Sequence, residues 1–578
     1  MKNIIVLILA IVFLANIGSC VSKETEAYKK AINDPAAAHL ARPSASQYAW
    51  QEQERIMFVH FAPTTWQGRE HDNHSTDLKD MKLPKLDTDQ WCKAARSWGA
   101  KEILFVAKHT GGFCWWQTET TDYSVKNIAW KDGKGDLLKE ISQSCLKNGL
   151  NLGIYVYPGD EQWGAGIGSG GRTSDPAKQE AYNKILRQQW TEVLSKYGKI
   201  CEIWFDGSCV VPLGDIIKKY APDAVIFQGP QATIRWPGTE SGILPYPAWN
   251  SLSSKDLKTG TSTAVHGNPD GDAWAPLEAD TPLYNHYWFW ALKKEKKRKS
   301  LEQLLEIYYK SVGRGGVLLL NSTPTTDGLI PEGDMKRYQE FGDEIERRFA
   351  HPLAEISGTG NEHTIVFEKP TNVNQVVIME DYRYGERIRK YSLLGKIEGG
   401  RWVKLNEGSS VGRKRIVVFS PATISQLRLK IDQSVGEPLI RSFKAYFVED
   451  MNITHLADPL PAENPGKVCH TLRPEDFKGN KAEFTLDLSG FFTKPGQYGI
   501  EIIPDDATTK LKVTDFKVLY NDKPVLKEMY GAIQKNKYYN INRTAQVTEE
   551  SKITLKMTLN TPTPSKAAGI IRIYSPTY

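Results

Sequence analysis

A chain of 578 residues exceeds what one hydrophobic core supports, so several domains are expected. Hydrophobic residues at 40% and charged residues at 25% are ordinary for a soluble globular protein. The net charge of +6 is small for this length, and Lys and Arg are mixed with Asp and Glu along most of the chain, which argues against a nucleic-acid partner. One basic run, Lys293-Lys294-Glu295-Lys296-Lys297-Arg298-Lys299, breaks that pattern; such a run can bind nucleic acid or phosphate, and reads here rather as a solvated loop or helix start. The 16 Trp and 25 Tyr say more, because many lie in polar segments. Flat rings with a polar edge suit stacking on sugars, as they also suit ordinary cores.

At the N-terminus Lys2 precedes an apolar run, residues 4–15, that fits a signal peptide and is short for a membrane span. The run ends in Ile17-Gly18-Ser19-Cys20, which resembles a bacterial lipobox. Residues 1–20 are therefore expected to be a lipoprotein-type signal peptide, with Cys20 the lipidated first residue of the mature chain. Contact with a membrane is expected only through that anchor. The other six cysteines show no CxxC or Cys/His spacing of a zinc site, and several read as buried thiols.

From Arg55 to Arg347, apolar runs at 56–61, 103–107, 152–157, 203–205, 224–227 and 317–320 have the density of strands buried on both faces. Amphipathic segments at 89–98, 137–148 and 176–197 lie between them. Strands alternating with helices predict a parallel sheet, and roughly 300 residues of this pattern favour a (β/α)8-like barrel over a doubly wound sheet. No Gly-rich phosphate loop follows the first strand. The barrel is assigned to residues 21–350. After Pro352 helix signals become scarce and alternating runs predict a β-sandwich over 353–450. A Pro-rich linker at 459–465 leads to a second all-β domain over 466–578.

Barrel enzymes place their chemistry where strands end at the C-terminal face. The residues closing the strands here are His60, Lys108-His109, Tyr155 with Tyr157 and Asp160, and Trp204-Phe205-Asp206-Gly207, followed by Arg235-Trp236 and Glu240. Asp206 follows a buried-looking strand, and Glu240 lies on a loop punctuated by Gly and Pro. One carboxylate on a rigid strand and one on a loop can flank a glycosidic bond. Asp160, Glu202, Glu278 and Asp280 are rival carboxylates.

Phe58-Val59-His60-Phe61, Ala107-Lys108-His109 with Gly112-Phe113-Cys114-Trp115-Trp116, Thr121-Asp122-Tyr123-Ser124-Val125 and Ile203-Trp204-Phe205-Asp206-Gly207 together resemble the α-L-fucosidases of glycoside hydrolase family 29. Ile234-Arg235-Trp236-Pro237-Gly238-Thr239-Glu240 resembles the acid/base loop of the subgroup selective for α-1,3/1,4-fucosides. The resemblance implies a retaining exo-glycosidase acting on an oligosaccharide or glycoconjugate, without metal or cofactor. It makes Asp206 the nucleophile and Glu240 the acid/base. His60, Glu70, His109, Tyr155, Trp204 and Arg235 would hold the sugar and line its pocket, and Trp288 would face its C5 substituent. The sandwich resembles discoidin-like modules. Two departures stand in the recognition shell. Glu70-His71 replaces the family's Glu-Trp, and His109-Thr110-Gly111 replaces its His-His-Asp. Losing a polar contact can shift discrimination between similar sugars by orders of magnitude. A glycone related to fucose, such as L-galactose, is therefore an alternative, and a non-catalytic glycan-binding lipoprotein is another.

Overall fold

The computed structural model describes residues 26–257, 265–456, 466–492, 496–505, 509–524, 538–543 and 552–574. The signal-like segment with Cys20 and the Pro-rich stretch at 459–465 lie outside them. The chain divides into two compact units at residue 458.

In the first unit the strands are β1 (Arg55–Val59), β2 (Glu102–Lys108), β3 (Asn151–Val156), β4 (Glu202–Trp204) and β5 (Val225–Phe227), then β6 (Ser251–Leu252), β7 (Ala273–Trp274), β8 (Glu278–Pro282) and β9 (Val317–Ser322). β6 and β7 form a separate antiparallel ribbon. The other seven make one parallel sheet, in the order β5-β4-β3-β2-β1-β9-β8. The sheet's two edges are joined by a segment too short to be a strand. Ile234 bridges Phe227 of β5, and Arg235 bridges Leu277 just before β8. The Arg235 amide donates to Pro276 at 2.9 Å, and the Glu278 amide donates to Arg235 at 3.0 Å. Residues 234–235 thus take the eighth place, and the curled sheet is a (β/α)8-like barrel.

Side chains alternate about this sheet as the pleat requires. Ile56, Phe58, Leu104, Val106, Tyr155, Trp204 and Leu319 fill the interior. Met57, Val59, Ile103, Phe105, Ile154 and Leu320 face outward to the helices. Those helices start where the sequence offers caps. Asp87 opens Thr88–Ser97, Asp136 opens Leu137–Asn148, and a Ser300/Gln303 capping box opens Leu301–Lys310. Of the seven parallel strands, the one absent from the apolar reading is β8, whose sequence is Glu-Ala-Asp-Thr-Pro. Its inward positions, Glu278 and Asp280, are acids, so it carries no apolar run.

Three carboxyls occupy the barrel floor. Glu102, Glu202 and Glu278, at the starts of β2, β4 and β8, are each 0% exposed. They accept hydrogen bonds from Gln53 (2.9 Å), Trp50 (2.8 Å) and Trp204 (2.8 Å), respectively. Burial, then mutual repulsion, raises the pKa of Glu102 and Glu202 well above the carboxylate range. Burial likewise pushes Glu278 up to about 8. Burial thus favours the neutral acid in all three, which are held by the fold rather than presented to a ligand.

The sandwich comprises β10 (Ala354–Thr359), β11 (Glu362–Glu380), β12 (Ile388–Lys396), β13 (Trp402–Gly408), β14 (Arg415–Ser434) and β15 (Leu439–Tyr446). β11 and β14 are long and change register midway. The first part of β11 pairs with the last part of β14, beside β12 and β13; the last part of β11 pairs with the first part of β14 and with β15. Two layers result around a core that includes Val376, Ile378, Leu393 and Leu427. Val377, Ile416 and Val418 turn the other way and join the hydrophobic core outside the barrel. Glu54 at the barrel floor pairs with Arg413 and Lys414. The sandwich therefore packs on the outer side of the barrel, with charged contacts reaching its floor.

The second unit has two four-stranded antiparallel sheets among the described residues. One is β16 (Lys467–Leu472), β23 (Gly569–Tyr574), β18 (Gly496–Pro504) and β21 (Tyr538–Arg543). The other is β17 (Lys481–Asp487), β22 (Ile553–Asn560), β19 (Lys512–Tyr520) and β20 (Lys523–Pro524). Its own core includes Leu472, Tyr498, Leu555 and Ile571.

Candidate active site

At the C-terminal mouth of the barrel, parallel rings line one wall. His71 stacks on His109 (centroids 6.2 Å apart), His109 on Tyr155 (5.8 Å), Tyr155 on Trp204 (5.4 Å) and Trp204 on Phe227 (4.1 Å). Asp206 stands two residues beyond β4, within this wall. The Tyr155 hydroxyl donates to its Oδ2 at 3.0 Å. Gly207 turns the chain away with φ +92, a conformation that side-chain-bearing residues rarely adopt, and its amide donates to Gln228. Asp206 is open to solvent at the mouth. The surrounding protein nonetheless raises its pKa, the Tyr155 hydrogen bond opposes that rise, Glu240 adds to it and His71 counters it. The surroundings thus stabilise the ionised carboxylate poorly, and one dedicated hydroxyl favours it.

Glu240 is exposed on the loop that follows residues 234–235. The Trp288 indole donates to its Oε2 at 3.2 Å. Trp288 is fixed from behind. Its amide donates to Glu70 at 2.8 Å, and its carbonyl accepts from Asn321 at 2.9 Å. Glu70 is in turn paired with Lys294 at 2.5 Å. Asn321, at the end of β9, also accepts from His60 Nδ1 at 2.8 Å. Because its Nδ2 is committed to Trp288, its Oδ1 must face His60, so His60 carries its proton on Nδ1 and keeps Nε2 as an acceptor. Burial lowers His60 to about 3 and His109 well below the usual range, so both imidazoles are neutral. Neutral rings can accept from or donate to sugar hydroxyls without bringing charge.

Glu70 therefore has both oxygens engaged by protein groups, and its visible task is to anchor the Trp288 loop. The basic run differs from the solvated loop read in the sequence. Lys294 is 3% exposed because it serves Glu70, and Lys299 is 8% exposed with its ammonium on the Pro282 carbonyl. Arg298 pairs with buried Asp334 at 2.6 Å. Arg235 is 5% exposed and donates to the carbonyls of Ala275 and Trp249, which ties its guanidinium to the wall behind the Glu240 loop.

Around His71 and Thr110-Gly111 the chain is exposed at one end and closely packed at the other. His71 is exposed at the rim beside His109. Thr110 is 3% exposed and its hydroxyl lies 3.2 Å from His109 Nδ1. Gly111 is required by space, since a Cβ there would meet Asp72 Oδ2 at 2.3 Å. Asp72 accepts from the Tyr123 hydroxyl at 2.6 Å.

Of the rival carboxylates, Glu202 and Glu278 lie on the floor. Asp160 is buried beside Lys108, 3.8 Å away, and accepts from the Gln162 amide. Asp280, by contrast, reaches the mouth. The sequence did not mark Asn321 or Lys294 as site residues. Asn321 closes an apolar strand as His60 does, so the strand-end rule would have found it. Lys294 gave no signal within its basic run. Among the described residues, no group of three or more His, Cys, Asp or Glu side chains is disposed to hold a metal ion.

The chain is similar to known proteins over most of its length. The profile of the alpha-L-fucosidase family matches residues 36–347, more than half of the chain. Alpha-L-fucosidase 1 of Arabidopsis thaliana is 30% identical over 460 residues, covering 70% of this chain and 88% of the plant protein. The solved structure of a candidate alpha-L-fucosidase from Bacteroides thetaiotaomicron is 33% identical with a TM-score of 0.67, covering 71% of this chain and all of that one. A Ruminococcus gnavus fucosidase of glycoside hydrolase family 29, solved with fucose, is 25% identical with a TM-score of 0.63, covering 74% of this chain and 99% of that one. A barrel with these strand ends and these likenesses belongs to the alpha-L-fucosidase family of glycoside hydrolases.

Proposed function

We propose that the protein is a retaining exo-α-L-fucosidase that removes terminal, α-1,3/1,4-linked fucose from glycans. The observation that carries this reading is the pairing of two carboxyls at one mouth: Asp206 on a rigid strand end, bonded to Tyr155, and Glu240 on a loop, held by Trp288. In the first step Asp206 attacks the anomeric carbon while Glu240 gives its proton to the departing oxygen. In the second, Glu240 takes a proton from water, and the resulting hydroxide displaces Asp206. The likeness of the 234–240 loop supports the linkage. The N-terminal run ending at Cys20 supports export across the inner membrane and a periplasmic or cell-surface lipoprotein.

A second glycone stays in view on one observation: exposed His71 and buried Thr110 stand where the family has other residues. Hydrolysis of 4-nitrophenyl α-L-fucoside beside the α-L-galactoside, with Asp206→Asn as blank, tests both readings. Fucoside turnover that falls at least ~10³-fold in Asp206→Asn supports the proposal. Preference for the galactoside moves the glycone to L-galactose. Turnover that survives in Asp206→Asn overturns the assignment of the nucleophile, and binding of fucosides without turnover by the wild type favours a glycan-binding lipoprotein.

A further inference from the structure

β8 brings a third carboxyl to the mouth, and its role rests on those of Asp206 as nucleophile and Glu240 as acid/base. Asp280 shares the inward face of β8 with Glu278, one pleat nearer the mouth. It is 3% exposed and accepts a hydrogen bond from the Trp236 indole at 2.7 Å. Trp236 precedes Glu240 by four residues on the same span, and its ring packs on the interior cluster that Trp288 also covers. The span is fixed at both ends: Arg235 is bonded into the sheet, and the Leu244 amide donates to Lys310 at 2.9 Å. Glu240 lies midway, and the Trp236–Asp280 bond ties the stretch of chain leading to it.

The titratable groups facing Asp280 are Glu240 on the loop, Asp206 just beyond β4, and Glu278 below it on β8. Burial, with repulsion from Glu240 and Asp206, pushes Asp280 up to about 8, against the Trp236 bond. At neutral pH it is an uncharged acid whose carbonyl oxygen can hold the indole. Above that range it becomes a negative charge beside Glu240.

We propose that Asp280 is a positioning residue for glycosidic cleavage: through the Trp236 indole it fixes the span that carries Glu240. A disturbed acid matters most when the leaving group is poor, because a good one departs without a proton. A merely structural residue would lower both reactions together.

The test is kcat and KM across pH for phenyl and 2-chloro-4-nitrophenyl α-L-fucosides. The proteins are wild type, Trp236→Phe, Asp280→Ala and Asp280→Asn, with Asp206→Asn and Glu240→Gln as references and thermal melts to establish folding. Trp236→Phe and Asp280→Ala should lose kcat on the phenyl fucoside at least about tenfold more than on the activated one. Asp280→Asn keeps an oxygen for the indole and should recover most of that loss at pH 6. Equal losses on both substrates, or an Asn variant no better than Ala, would overturn the proposal while Glu240→Gln still shows its leaving-group dependence. Absence of that dependence in Glu240→Gln, or an active Asp206→Asn, would instead show that the pair itself is misassigned, and the proposal would fall with it.

Discussion

Tyr155 shows how one hydroxyl acts on the carboxyl proposed as nucleophile. Its donation to Asp206 favours the ionised carboxylate, while the surrounding protein and Glu240 favour the protonated one. Tyr155→Phe removes the lowering contribution, so Asp206 should ionise at higher pH. The acid limb of kcat/KM should then rise by about half a unit to one unit, the worth of a solvent-screened hydrogen bond to a charge. An unmoved limb would mean that the limb reports another group. Residues of this kind were legible in the sequence because an inward polar residue at the end of an apolar strand has few structural uses. His60, His109, Tyr155, Trp204 and Asp206 all line the mouth for that reason. Glu70 and Arg235 were harder to place, because their partners, Lys294 and the carbonyls of Ala275 and Trp249, come from distant or irregular backbone.

At the scale of elements, two loops meet over the barrel, and each is held by an inward-turned polar group. The loop bearing Trp288 depends on the Lys294–Glu70 pair, with Lys294 also donating to the Phe289 carbonyl at 3.0 Å. Lys294→Met keeps the bulk and removes both contacts. Because Glu70 is partly exposed, the stability cost should be modest, about 1–3 kcal/mol, and visible as a lower Tm. Loosening of Trp288 should lower kcat/KM about 3- to 10-fold. A variant with wild-type kinetics would show that the loop is held elsewhere. The helices and the apolar strands could be read directly from period and caps. β8 and the 234–235 closure could not. β8 hides because its inward residues are acids, and the closure hides because two residues carry no periodicity at all.

For the molecule as a whole, the buried acids of the barrel floor tie stability to pH. Glu278 rises from an ordinary 4.5 to about 8 on folding, chiefly through burial. Between those values the folded chain binds more protons than the unfolded one. The contribution of Glu278 is therefore fully present below about pH 4.5 and is lost as pH rises through 8. Glu278→Gln mimics the neutral acid, keeps an acceptor for Trp204, and should flatten the fall in Tm between about pH 5 and 8, as read by thermal denaturation. A fall as steep as that of the wild type would assign the pH dependence to Glu102, Glu202 or groups beyond the floor. Among the described residues, the account puts the chemistry at the mouth shared by Asp206 and Glu240, above the floor and beside the ring wall. The most direct test of that claim is mass spectrometry of the protein trapped with a 2-deoxy-2-fluoro-fucosyl fluoride. The account predicts one fluorofucosyl group, recovered on the peptide that contains Asp206. An adduct on a peptide containing Asp280 or Asp160 instead, or steady turnover of the reagent with no adduct at all, would contradict it.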